Sequence, residues 1–139
     1  MGSLFDLYEV RVLDNMFGTS ASYTAQSPNL YIGLSKQTIT EGASQILEPS
    51  GGSYARVAVS NNKTTWTNAS AGSLSNAITI TFPTATALWG DVLDFFLASV
   101  SGAGVSNDYI GYGTLTVSKT VQSGDTASFA IGALTITLT

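Results

Sequence analysis

Hydrophobic and polar residues alternate with a period of two in several separate stretches of this chain. Ile78-Thr79-Ile80-Thr81-Phe82, Thr114 to Val117 and Leu134 to Thr139 each put aliphatic side chains on one face and threonines on the other. That is the pattern of strands with one face in a core. Val92 to Val100 is more continuously apolar and reads as a central strand, or one covered on both sides. Leu30 to Leu34 reads as a short buried strand in which Gly33 permits close backbone approach. Tyr109 to Tyr112 leads into 114–118, Thr126 to Ile131 precedes the last strand, and residues 64–67 around Trp66 form a further short one. Ser123-Gly124-Asp125 and Gly132-Ala133 supply turns. Seven or eight short strands at this spacing predict a mainly β fold: a single antiparallel β-sandwich, jelly-roll-like.

One segment breaks the period. Residues 4–17 carry apolar side chains at 5, 8, 12 and 16, with 4, 7 and 13 beside them, while Asp6, Glu9 and Asp14 populate the other side. The spacing predicts one N-terminal α-helix, with Ser3 as its N-cap and Gly18 as its stop. Such a helix either caps the sheet or docks on a neighbouring subunit.

The single domain, 1–139, divides into this helix (1–18), a linker, short strand and extended arm (19–53), and the sandwich core (54–139). From Ser35 to Gly52 only Ile39, Ile46 and Leu47 are aliphatic anchors. A loop of that length in a compact domain is a functional arm or is pinned by a partner. It ends in Glu48-Pro49-Ser50-Gly51-Gly52-Ser53-Tyr54-Ala55-Arg56-Val57-Ala58-Val59. Here the glycines allow a tight or left-handed backbone, and alternation resumes at once with Ala55, Val57 and Val59 on one face.

Composition narrows the function. The chain is 44% hydrophobic yet only 10% charged, well below the roughly 25% usual for a soluble domain. Hydroxyls and amides replace charge, which suits a protein packed against other subunits. A formal net charge of −4 argues against nucleic acid, whose phosphates require clustered cations. With no cysteine and no histidine, no disulfide, no thiolate metal site and no imidazole chemistry is available. No apolar run approaches the ~20 residues of a membrane helix, and no secretory signal is readable at the N-terminus. No nucleic-acid or membrane partner is therefore expected.

The search for chemistry yields little. Asp91 and Asp94 are the closest carboxylates on one element; three apart on a strand they point to opposite faces, so they read as exposed or loop-end groups. Asn107 and Asp108 fall far short of a calcium shell. A serine nucleophile would need a lysine base, and Lys36, Lys63 and Lys119 all sit in turn or strand-end contexts. No phosphate-cradling glycine loop occurs. The expectation is no enzyme, no cofactor and no metal. The tryptophans and tyrosines could stack sugars, but on strands they more often build cores or subunit contacts.

Several segments in order carry a resemblance. They are Leu13-Asp14-Asn15-Met16-Phe17-Gly18, Leu30-Tyr31-Ile32-Gly33-Leu34-Ser35, the Glu48 to Val59 run, Ile80-Thr81-Phe82-Pro83-Thr84-Ala85-Thr86 with Trp89-Gly90, Tyr112-Gly113-Thr114-Leu115, Ser118-Lys119-Thr120-Val121, Ser123-Gly124-Asp125-Thr126 and Leu134 to Leu138. Together they resemble a family of small tailed-phage virion proteins, commonly labelled tail-fibre-like, some of which look like capsid cement (decoration) proteins. The chain departs from that pattern at 91–108.

The resemblance implies a non-enzymatic virion protein made in the host cytoplasm. The leading expectation is a cement protein on the outer capsid surface, assembled as a homotrimer and bound to the major capsid protein. The alternative is a receptor- or glycan-binding module of a tail fibre or tail tip. The candidate contact surfaces are the helix (Leu4, Phe5, Tyr8, Val12, Met16), the 35–52 arm, and the junction with its surroundings (Glu48, Tyr54, Arg56, Trp89).

Overall fold

The computed structural model describes residues 2–17, 27–102 and 108–137, with the backbone alone for residues 2, 3, 6, 7, 15 and 16. Nine strands and one helix follow in chain order: β1 (Gly2–Leu4), α1 (Asp6–Phe17), β2 (Asn29–Ser35), β3 (Val57–Ser60), β4 (Ser73–Ser75), β5 (Ile80–Thr81), β6 (Gly90–Ala98), β7 (Tyr109–Val121), β8 (Ser128–Phe129) and β9 (Thr135–Thr137). The architecture is the expected one: mainly β, antiparallel, with a single short helix and a second layer over the sheet as in a β-sandwich. Seven strands form one sheet in the order β3-β2-β6-β7-β1-β9-β4, and β5-β8 make a separate ribbon. Every pairing is antiparallel except that of β1 with β9.

The continuously apolar β6 lies in the middle of the large sheet and is covered on both faces. On one side Leu30, Ile32, Leu34, Val92, Phe95 and Leu97 join the ribbon's Ile80 and Phe82 in the larger core. On the other side Phe96, Ala98 and Tyr109 pack with Phe5 and Ile39 in a smaller one. Val92 and Phe95 share a face although they are three positions apart. The register of β6 on β7 shifts between Val92 and Asp94, and a bulge of this kind resets the two-residue alternation. Val92 is opposite Lys119 while Asp94 is opposite Thr114. Leu93 alone therefore faces the four-residue stretch 115–118, which leaves Val117 63% exposed. The expectation that Thr114 to Val117 alternates cleanly into the core fails here, because the bulge turns Val117 outward.

Gly33 behaves as its position predicts. A Cβ placed on it would lie 2.2 Å from Cζ of Phe96, its partner across β2 and β6. Only a glycine lets that ring, itself fully buried, come this close to the neighbouring backbone.

Two expectations for the N-terminus are corrected. Residues 2–4 form a strand, pairing Gly2 with Gly113 and Leu4 with Gly111, so Ser3 is not a helix cap. The helix starts instead at Asp6, where Phe5 O accepts from Tyr8 N at 2.8 Å and from Glu9 N at 3.2 Å. Residues 2–4 bond along β7, and Phe5 N continues that line by donating to Ile110 O at 3.1 Å. Gly18, the expected stop, lies outside the described residues. Phe5 and Tyr8 face the protein, whereas Val10, Leu13 and Phe17 are 52%, 56% and 79% exposed.

The 48–56 hub as the candidate functional site

The long loop after β2 is held to the sheet by contacts within the chain. Lys36 N donates to Leu47 O at 2.8 Å, Ile39 is buried, and its N–H donates to Asp94 Oδ2 at 2.6 Å. Asp94 is thus fully buried on β6 rather than exposed or at a loop end. The sequence reading missed it because the pinning group is a backbone amide 55 residues away. Its Oδ1 has no partner among the described residues. Asp91, by contrast, is exposed and accepts from the Thr120 hydroxyl, so the two carboxylates are engaged separately.

At residues 51–53 the chain takes three consecutive left-handed conformations: Gly51 at φ 71°, Gly52 at 56° and Ser53 at 62°. Glycine removes the steric cost at the first two. The reversal turns the Gly52 carbonyl toward the sheet, where it accepts from Trp89 Nε1 at 2.8 Å and from Thr86 N at 3.0 Å. A Cβ on Gly52 would lie 3.1 Å from the backbone of Ala87 and from the Trp89 ring. The Ser53 hydroxyl, 3.0 Å from that of Thr86, closes the same junction.

Three side chains around that turn meet. Arg56 Nη2 and Nε donate to Glu48 at 2.5 to 3.2 Å, and Nη1 donates to Val100 O at 2.8 Å. Its guanidinium stands 4.9 Å above the Phe96 ring and 5.9 Å from that of Tyr109. The Tyr54 hydroxyl accepts from Leu34 N at 2.9 Å and donates to Glu48 Oε2 at 2.8 Å. The Arg56 side chain is 2% exposed and that of Glu48 18%. Burial opposes the Arg56 charge, but the hydrogen bonds and the charge of Glu48 outweigh it and raise its pKa. Burial likewise pushes the Tyr54 hydroxyl well above the ordinary tyrosine range; the Leu34 backbone bond pulls against this and the Glu48 carboxylate adds to it.

The structure thus brings Glu48, Tyr54, Arg56 and Trp89 together within one chain. Arg56 pairs inside its own fold. Leu4, Phe5, Tyr8 and Trp89 are buried in the same fold, Val12 is half-buried, and the side chain of Met16 lies outside the described residues. What remains open around them is the outer side of α1: Val10, Leu13 and Phe17. The reading of the helix singled out the inner stripe, because periodicity marks the apolar residues of a helix without saying which side is covered.

Among the described residues there is no group of three or more acidic side chains that could hold a metal ion. No described helix is long and apolar enough to cross a membrane.

Fold and hub together define a class, a mainly β structural domain in which a buried ion pair ties a long loop to its sheet. Comparison with known families gives the particular one. A family model described as podophage GP4 fiber I protein gp80 matches residues 3–137. The chain belongs to that family and is a structural protein of the phage virion. A search of curated proteins returns no match.

Proposed function

We propose that this protein is a non-enzymatic, fibre-type structural module of the phage virion, built into or attached to a fibre of the tail. The observation that carries this reading is the match to a fibre protein family over residues 3–137, nearly the whole chain. The hub supports it, since its charged groups are used to hold the fold together and form no open reactive cleft. Immunogold labelling of purified virions tests the proposal. Label on fibres is expected; label confined to the head surface would overturn it.

Capsid cement, as a homotrimer on the major capsid protein, is the second reading. It is favoured by the apolar stripe Val10, Leu13 and Phe17 left open on α1, the kind of surface that a neighbouring subunit covers. Under this reading the protein rebinds stripped heads with the stoichiometry of the lattice and raises their melting temperature. Failure to bind heads at all would remove it.

A further inference from the structure

The helix α1 is apolar on two sides, and only one of them meets the fold. Tyr8 is buried and Val12 half-buried on the inner side. Val10, Leu13 and Phe17, each more than half exposed, follow one another at steps of three and four. At about 100° per residue, those steps set all three along one line on the side opposite Tyr8. This is the spacing by which a helix presents an apolar seam to a partner outside its own fold. A helix that only capped the sheet would carry polar residues there.

The charges beside the seam decide what fits on it. Glu9 and Asp14 lie about 70° to either side of its centre, so an acidic residue flanks each edge. Neither carboxylate has an ion-pair partner among the described residues. Arg11 is the only cation of the helix, and its guanidinium lies over the Tyr8 ring at 4.9 Å, away from the seam. Such a rim disfavours two occupants. In a parallel pair of copies Glu9 of one helix would face Asp14 of the other, and in an antiparallel pair each would face its own equivalent. Both arrangements set like charges together. An anionic lipid surface attracts helices whose polar side carries lysine and arginine, and it repels this one.

We propose that the outer seam of α1 docks on a different virion protein, against an amphipathic helix whose own apolar seam is edged by lysine or arginine. Phe17, the most exposed of the three at 79%, is the aromatic anchor of that contact. Glu9 and Asp14 select the partner and its orientation more than they add affinity. The inference needs only that the protein is part of the virion, and it holds for a fibre or a head position.

The test uses the full-length ¹⁵N-labelled protein and three capped helical peptides of about four heptads. One has a leucine seam edged by lysine, one the same seam edged by glutamate, and one lysine edges with serine in the seam. The first should give saturable shifts of the 9–17 amides. Its affinity should exceed that of the glutamate peptide by about tenfold or more, a preference that shrinks as salt rises. The serine peptide should leave those amides unmoved. Leu13→Gln, at an exposed position, should abolish binding while the rest of the spectrum stays unchanged. Exchanging both flanks, Glu9→Lys with Asp14→Lys, should reverse the preference, which damage to the helix could not do. Equal affinity for the two leucine peptides, shifts confined to other parts of the protein, or no shifts at millimolar concentration would overturn the proposal. So would a self-associated species that Leu13→Gln dissociates, which would make a second copy the occupant. Binding to phosphatidylglycerol vesicles that the same variant loses would overturn it too, in favour of a lipid surface.

Discussion

Replacing Arg56 by alanine isolates what the buried ion pair contributes. The substitution removes three donor contacts to Glu48, one to the Val100 carbonyl, and a cation–π contact at 4.9 Å with Phe96. It also leaves the Glu48 carboxylate without its countercharge. Breaking a buried pair by removing one member costs about 3–5 kcal/mol, and net hydrogen bonds to charged groups are worth about 1.5–3 kcal/mol each. Glu48 retains 18% exposure, so water recovers part of the loss and the lower end applies. We expect Arg56→Ala to destabilise the protein by about 3 kcal/mol, against a total of about 5–15 kcal/mol for a domain of this kind. That corresponds to a melting temperature lower by about 10 °C at this chain length.

Urea unfolding of Arg56→Ala, Glu48→Ala and the double variant gives the coupling directly. An interaction energy of about 1.5–3 kcal/mol is expected for residues in one network. Arg56→Lys should lose about half as much as the alanine variant, because it keeps the charge and gives up the planar fork. Strict additivity of the two single changes would refute the argument. It would mean that the pair contributes nothing beyond the packing of its two side chains.

Three other expectations follow from the same geometry. Gly33→Ala drives a Cβ to 2.2 Å from the Phe96 ring and should cost at least about 1–3 kcal/mol by overpacking; a smaller penalty in a Phe96→Leu background would confirm the clash. Asn76→Ala removes a fully buried amide that donates to Ile78 O and Ala130 O and accepts from Leu134 N. It should lower stability in urea by about 2–4 kcal/mol by leaving those groups unpaired. Because Tyr54 titrates higher when folded than the ordinary value of about 10, the unfolded chain binds fewer protons than the native one above that pH. Stability from this group is complete below pH ~10 and falls as pH rises further; Tyr54→Phe should flatten that loss, and identical alkaline profiles for the two proteins would count against it.

Period-two alternation made the fold legible, since strand and core follow from local side-chain order. β6 was readable as central or covered on both faces because its apolar residues are nearly continuous and do not alternate with polar ones. Pairing over long separations was less readable. Asp94 looked like a surface carboxylate because its partner is the Ile39 amide, and nothing near it in sequence announces that bond. Val117 looked like a core residue because a bulge in β7 shows no local signal. Ser3 looked like a helix cap because the strand pairing of residues 2–4 is with residues 111–113, more than 100 residues away. The Glu48 to Arg56 run was legible as a junction, and its Gly-Gly pair marked the left-handed turn. Its pairing within the chain was not, because Arg56 had equally good uses in a neighbouring subunit.

That junction explains how a loop as long as 36–56 can exist in so small a domain. The sheet separates two cores, and residues 48–56 wrap its β2–β3 edge. Tyr54 lies on the larger side, with its ring 5.2 Å from that of Trp89 and 6.4 Å from that of Phe82. Arg56 lies on the smaller side, above Phe96 and Tyr109. Parity along a strand dictates that residues two apart share a face, yet here they serve opposite cores. The chain at 54–56 is not yet in the sheet, since β3 begins only at Val57. Freed from that alternation by the three left-handed residues before it, the backbone can send one side chain to each side. Glu48 binds both of them, the hydroxyl and the guanidinium. One carboxylate therefore links the two cores at the end of the loop, while the Lys36–Leu47 and Ile39–Asp94 bonds hold its beginning, and the loop can be long because the entropy of closing it grows only slowly with its length. A chain with so few charges places its one described ion pair at the point where two cores and a long loop must be held in register.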